Sequence, residues 1–196
     1  MKFFATTLFL AFLFASCHKV TDALVNKSTP PSGQFNEYTI RKGQQYCDQN
    51  GYAPVDLSEM KFTVRFDSSA IYQTSDPENQ YDINKLYGFS DNNMDHHQYS
   101  ARFGWRWSDG ALRLFAYVYN EGKVESKELS AINIGEEIHC SIKVQPDKYV
   151  FSLNNQLTEM PRKSITQTGK GYQLYPYFGG DELAPHEVDI WIKRES

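Results

Sequence analysis

From residue 36 onward, apolar and polar residues alternate with a period of two, in short runs separated by clusters of Asp, Asn, Gly and Pro. Side chains on a strand point alternately to its two faces, so this pattern predicts strands with one buried face, and no stretch carries the period of a helix. The predicted strands cover 37–40, 61–66, 83–89, 100–107, 112–119, 137–144, 149–153, 172–178 and 187–193. Ser108-Asp109-Gly110, Asn120-Glu121-Gly122, Pro146-Asp147 and Asn154-Asn155 supply turn chemistry between them. Many short strands at this spacing predict an all-β sandwich over residues 36–196.

Residues 100–107, Ser-Ala-Arg-Phe-Gly-Trp-Arg-Trp, place Ala101, Phe103, Trp105 and Trp107 on one face and Ser100, Arg102, Gly104 and Arg106 on the other. The next strand divides in the same way, with Leu112, Leu114, Ala116 and Val118 opposed to Arg113, Phe115, Tyr117 and Tyr119. A slip of one residue would turn every side chain over, so a shared core fixes the register. Trp107 is expected opposite Leu112, Trp105 opposite Leu114, Phe103 opposite Ala116, Arg102 opposite Tyr117 and Ser100 opposite Tyr119. Read the same way, the preceding strand puts Lys85, Tyr87 and Phe89 on one face and Leu86 on the other. A non-core face of Arg, Ser, Tyr and Phe suits sugars, because aromatic rings stack on pyranose faces and Arg binds carboxylates bidentately. It equally describes a solvated outer face dressed with strand-forming residues.

The first residues do not belong to this pattern. Met1-Lys2 precedes a short apolar run, 3–14, that ends in Ala15-Ser16-Cys17. This predicts a signal peptide over 1–16, and its small-small-Cys ending resembles a bacterial lipobox, with Cys17 acylated. A tether through Lys27-Ser28-Thr29-Pro30-Pro31-Ser32-Gly33 follows, to about residue 35. The expectation is a domain lipid-anchored in the bacterial cell envelope, at the outer membrane because no Asp follows Cys17. The whole chain of 196 residues has 20 Lys and Arg against 24 Asp and Glu, which offers no basic field for nucleic acid. With Cys17 given to lipid, Cys47 and Cys140 can form a disulfide in an oxidising compartment, or serve as small core residues.

Lys85-Leu86-Tyr87-Gly88, then Ser100-Ala101-Arg102 with Trp105-Arg106, then Tyr117-Val118-Tyr119, resemble the Lys-Leu-x-Gly, Ser-x-Arg and Tyr-x-Tyr blocks of polysaccharide lyases of families 14 and 20. Tyr177-Phe178-Gly179-Gly180, followed by Ala184-Pro185, looks like the closing segment of those alginate and glucuronan lyases. The resemblance runs from about residue 61 to 192. It departs at Tyr87, where the family usually has Pro, and at Ser90-Asp91, which replace Gly-Gly.

The resemblance implies a concanavalin A-like jelly roll and β-elimination of an acidic, uronate-containing polysaccharide. Arg102 and Lys85 would bind the uronate carboxylate, Tyr117 or Tyr119 would serve as base and acid, and Ser100 would orient substrate or a phenol. His96 and His97 lie in the loop before this strand, and one of them is a candidate proton-transfer partner. Tyr87, His96, Arg106, Arg113 and Phe115 are candidate substrate contacts. A non-catalytic glycan-binding lipoprotein, or a scaffold lipoprotein, would use the same fold.

No cofactor is expected. Asp91-Asn92-Asn93-Met94-Asp95 alternates oxygen ligands, but an EF-hand's sixth-position Gly is His96 here and its twelfth-position acid is Arg102. Asp181-Glu182 is a candidate for a structural calcium. His96, His97, His139 and His186 show no zinc spacing.

Overall fold

The computed structural model describes residues 33–195. The signal peptide, the acylation site at Cys17 and most of the tether lie outside the described residues. Among the described residues, no helix is long and apolar enough to cross a membrane.

Twelve strands form two antiparallel sheets of six. The outer sheet contains β1 (Phe35–Ile40), β3 (Glu59–Phe66), β8 (Ile138–Val144), β9 (Lys148–Leu153), β10 (Gln156–Pro161) and β12 (Val188–Arg194), in the order β1-β12-β3-β8-β9-β10. The second sheet contains β2 (Pro54–Leu57), β4 (Asn84–Ser90), β5 (Tyr99–Ser108), β6 (Ala111–Asn120), β7 (Lys123–Ile132) and β11 (Gly169–Leu174), in the order β2-β11-β4-β5-β6-β7. This is a jelly-roll β-sandwich. Its core is aromatic: Phe62 of the outer sheet meets Phe103 and Tyr87 edge-on, Phe66 packs on Trp105, and Phe151 packs on Phe103.

The β5–β6 register is the expected one at every pair, from Ser100 opposite Tyr119 through Arg102 opposite Tyr117 to Trp107 opposite Leu112. Asp109 and Gly110 both take positive φ, at 54° and 72°. That is the two-residue turn whose twist matches a hairpin. Glu121-Gly122 and Asn154-Asn155 make the same turn before β7 and β10, two strands the alternation did not predict. β7 leaves that pattern because it is exposed on both faces over most of its length, so its pairing is set by the turn and the backbone ladder.

Three other expectations are corrected. The predicted strand over 172–178 stops at Leu174, where the chain leaves the sheet and returns as an isolated bridge from Tyr177 to Lys85. Tyr87 is not on the Lys85 face but in the core, 1 % exposed against Tyr38, Phe62 and Tyr175. The reason is a bulge: Lys85 pairs with Gly104, yet Gly88 pairs with Arg102, so β4 carries one residue more than β5. Leu86 and Tyr87 both turn inward, and Phe89 follows them into the core. Cys47 and Cys140 do not bond to each other. Cys140 is a free, buried thiol in β8, and Cys47 bridges to Ile40 of β1. Three strand spacings separate β1 from β8, about 14 Å and well beyond disulfide reach.

Behind the sheet face, Asp91 receives the Arg162 guanidinium at 2.8 Å and the Tyr149 hydroxyl at 2.6 Å. Thr166 Oγ1 and the Lys170 and Asn92 amides also donate to it. Both side chains of the ion pair are sealed from solvent. Burial alone would raise the Asp91 carboxyl, but Arg162, Tyr149 and the two amides together hold it below the usual carboxylate range. The candidate oxygen-ligand loop is therefore closed by an internal cation.

Asp91→Ala leaves Arg162 buried without its anion and is expected to cost about 3–5 kcal/mol in urea unfolding. Removing both ends costs less than the sum of the single losses. Because the folded-state pKa is depressed, the pair's contribution is complete above the unfolded value of about 3.9 and disappears as pH falls through the folded one. Acid unfolding of the Asp91→Ala protein is expected to lack this component.

Candidate active site

The exposed side of the β4–β5–β6 sheet carries a cleft of about 560 Å³. Gly88 makes room for its central group. A Cβ there would lie 2.4 Å from the Cα and Cβ of Arg102, so glycine lets the Arg102 strand lie close against β4. Arg102 is 7 % exposed. Among the described residues, no carboxylate pairs with it and its guanidinium takes part in no hydrogen bond; the phenols of Tyr117, Tyr119, Tyr172 and Tyr177 are among its electrostatic neighbours. Burial pulls its pKa down to about 10, which leaves it charged at neutral pH.

Lys85 is the second cation of the cleft. Its ammonium donates to the Gly179 carbonyl at 2.8 Å and lies 5.3 Å from the centre of the Tyr117 ring. Burial first, and then the charge of Arg102, lowers it to about 8, with Asp82 and Asp181 acting weakly in the other direction. Two cations sharing a desolvated space with only weak compensation make a site that favours an anion.

Tyr117 forms the wall beside them. Burial and the Tyr119 hydroxyl push its pKa up, and Arg102 does not reverse this, so the phenol stays protonated. Ser100 is buried, with its hydroxyl donated to the His96 carbonyl at 2.8 Å, so it anchors the histidine loop. His97 is exposed and packs its ring 5.5 Å from that of Tyr119. His96 is half-buried, and burial, Arg102 and His97 lower its pKa, keeping the imidazole neutral. Its backbone amide and Nδ1 both meet the Tyr172 hydroxyl, at 3.1 and 2.8 Å, while that hydroxyl reaches Asp95 Oδ2 at 3.4 Å. The single phenolic proton can go either to Asp95, which puts the imidazole proton on Nδ1 and the lone pair on Nε2, or to Nδ1 itself.

The cleft thus brings together Lys85, Ser100, Arg102, Tyr117, Tyr119, His96 and His97. It does not include four of the expected substrate contacts. Tyr87 is in the core, as described. Arg106 shares the sheet face but lies over the Phe115 ring, 4.8 Å from its centre, and donates to the Tyr81 carbonyl and to Ser108. Phe115 is buried beneath it. Arg113 pairs with Glu128 at 2.7 Å and approaches Asp109 at 3.6 Å. Both arginines are compensated where Arg102 is not. A short 3-10 turn, Pro77–Tyr81, covers that end of the sheet, and Glu182 holds it by accepting from the Asp76 amide and Asn79. Of the Asp181-Glu182 calcium candidate, one Glu182 carboxylate oxygen is engaged by this turn, and no group of three His, Cys, Asp or Glu side chains that could hold a metal occurs among the described residues.

Sequence reasoning missed Tyr172, Gln173, Tyr175 and Tyr177, and the loop residues Tyr46 and Tyr52, all of which line the cleft. Gln173 donates to the Gly88 and Leu174 carbonyls, which leaves its buried Oε1 without a donor among the described residues.

No protein-family model and no curated protein sequence matches the chain. Among solved structures, the alginate lyase AlyC3 is similar at a TM-score of 0.56 and 9 % identity, over 81 % of this chain and 73 % of that one. The laminarinase catalytic domain of Thermotoga petrophila RKU-1 aligns at 0.48 and 8 %, over 81 % and 74 % of the two chains. The carbohydrate-binding module CBM66 of Bacillus subtilis aligns at 0.43 and 10 %, over 85 % and 99 %. The likeness to the lyase shows a shared concanavalin A-like fold.

Lys85 is expected to titrate near pH 8 when followed by NMR of isotopically labelled lysines, a signal that Lys85→Met removes. In Arg102→Met it should move up toward the ordinary lysine value of about 10.4. A Lys85 resonance titrating at that ordinary value in the unaltered protein would contradict the buried-cation geometry.

Proposed function

We propose that the protein is a polysaccharide lyase acting on an acidic, uronate-containing glycan, displayed at the bacterial cell envelope through a lipid anchor at Cys17. The observation that carries this reading is Arg102: a buried guanidinium with no acid partner among the described residues, next to Lys85 and facing four phenols. A guanidinium presents paired donors that match a carboxylate, and a uronate carries one on every sugar.

β-Elimination breaks the C5–H and C4–O bonds and forms a C4–C5 double bond. Arg102 and Lys85 neutralise the carboxylate, which acidifies the C5 proton and stabilises the charge that develops on the carboxylate oxygens. An unprotonated base must take that proton. His96, held neutral by burial and the nearby charges, is suited to it in the tautomer that leaves Nε2 unprotonated, whereas Tyr117 keeps its own proton and is suited to give it to the departing glycosidic oxygen. The two groups divide the roles because their environments push them apart: burial keeps the imidazole uncharged and the phenol protonated.

Incubating the purified mature domain with a panel of polyuronates is expected to raise the ultraviolet absorbance of an unsaturated uronate product. Tyr117→Phe and Arg102→Ala should each reduce the rate by at least about 100-fold, the scale of losing a proton donor or a charge-stabilising group. Turnover should fall as pH rises through the Lys85 titration, since the lost proton is one that binds substrate, and added salt should weaken binding. Absence of product, with glycan retention still abolished in Arg102→Ala, would leave a glycan-binding protein of the same fold.

A further inference from the structure

Two of the largest exposed aromatic side chains belong to one loop, residues 41–53, and both line the cleft: Tyr46 is 64 % exposed and Tyr52 79 %. Each is backed by a second tyrosine. Tyr46 meets Tyr177 edge-on at 4.8 Å, and Tyr52 lies 5.9 Å from Tyr172 at a tilt. The loop is held in place from below, where Gln45 accepts from the Tyr177 hydroxyl at 2.6 Å and donates to the Gly180 and Glu182 carbonyls. Its backbone adds a bond from the Phe178 amide to Gln45 and an exchange between Gly43, Gln44 and Ala184.

The sheet register spaces the two pairs. The Tyr172 amide meets Ser90 Oγ, and Ser90 pairs with Ser100. Tyr177 bridges to Lys85, which pairs with Gly104. Ser100 to Gly104 is four residues along β5, or about 13 Å, and Arg102 sits midway between them. The backbones of the two backing tyrosines are thus anchored about 13 Å apart with Arg102 between them, a span longer than one pyranose.

We propose that Tyr46 and Tyr52 are sugar-stacking platforms on either side of the Arg102–Lys85 centre, so that the ligand is an internal stretch of a glycan chain. This rests on the glycan reading of the cleft. Apolar faces of pyranose rings cover the tyrosines, while the central sugar presents its carboxylate to Arg102. Sugars beyond the central one then add affinity through the rims alone.

Calorimetric binding of a size ladder of oligouronates to the full mature protein tests this. In the unaltered protein affinity should rise with length until both rims are filled. Tyr46→Ala and Tyr52→Ala should each weaken the longest oligomers about five- to tenfold and leave the shortest unchanged, with Tyr→Phe restoring most of the loss. Both residues are exposed, so thermal unfolding of the variants should match the parent. An equal loss at every length, or none, overturns the proposal. If no uronate binds, the acidic-ligand reading falls, and a ladder of neutral β-glucan oligomers decides the rims separately. Length-dependent binding lost in both variants supports them, and no binding at any length overturns them.

Discussion

Arg102 and Phe103 are adjacent on β5, and the pleat of the strand sends one into the cleft and the other into an aromatic core. Everything the cleft contains follows from keeping those directions opposite over three strands. A slip by one residue would put a guanidinium in the place of Phe103, between Phe62 and Phe151, at a cost no folded state of ordinary stability could bear. The type I′ turn at Asp109-Gly110 and the interlocked rings therefore fix a register that also places Tyr117 opposite Arg102 and Tyr119 opposite Ser100. The core's demand and the site's geometry are one constraint.

Within β4, β5 and β6 the constraint is locally broken in β4, where the second cation enters. A regular β4 could not place both Lys85 and Gly88 on the cleft face. The bulge allows it, hiding Leu86 and Tyr87 together and letting Gly88 pass beneath Arg102. Lys85 is then drawn toward the Gly179 carbonyl and the Tyr117 ring, close enough to Arg102 for each charge to be felt by the other. Such crowding is tolerable where phenols and carbonyl dipoles surround the cations and an arriving anion relieves them.

How much of this was legible depends on whether a residue answers to its neighbours in sequence or to groups far away. Alternation was enough for the β5–β6 hairpin, and with it the placing of Ser100, Arg102, Tyr117 and Tyr119, because one strong core face leaves a single register. It failed at Tyr87, since a bulge of one residue has no signature in an apolar run. It gave Arg106 and Arg113 the same standing as Arg102, because all three lie on one face. Only the fold reveals that Tyr81 and Phe115 engage the first and Glu128 the second. Strands β2, β7 and β10 were missed for a related reason: their positions at or near the sheet edges ask little of their side chains, and turns and backbone bonds do the pairing.

The tyrosines show the limit most clearly. Tyr172 and Tyr177 lie within a run that reads as one strand, yet the chain leaves the sheet between them, and both still line the cleft. Gln45, which has no chemistry of its own, ties the loop bearing Tyr46 and Tyr52 to the segment whose Gly179 carbonyl holds Lys85. The rim and the cationic centre are thus joined through one set of hydrogen bonds. On the proposed glycan reading, a sugar stacked on Tyr46 would press on the Tyr177 segment, so contacts far from the central carboxylate would help hold Lys85 in place beside it.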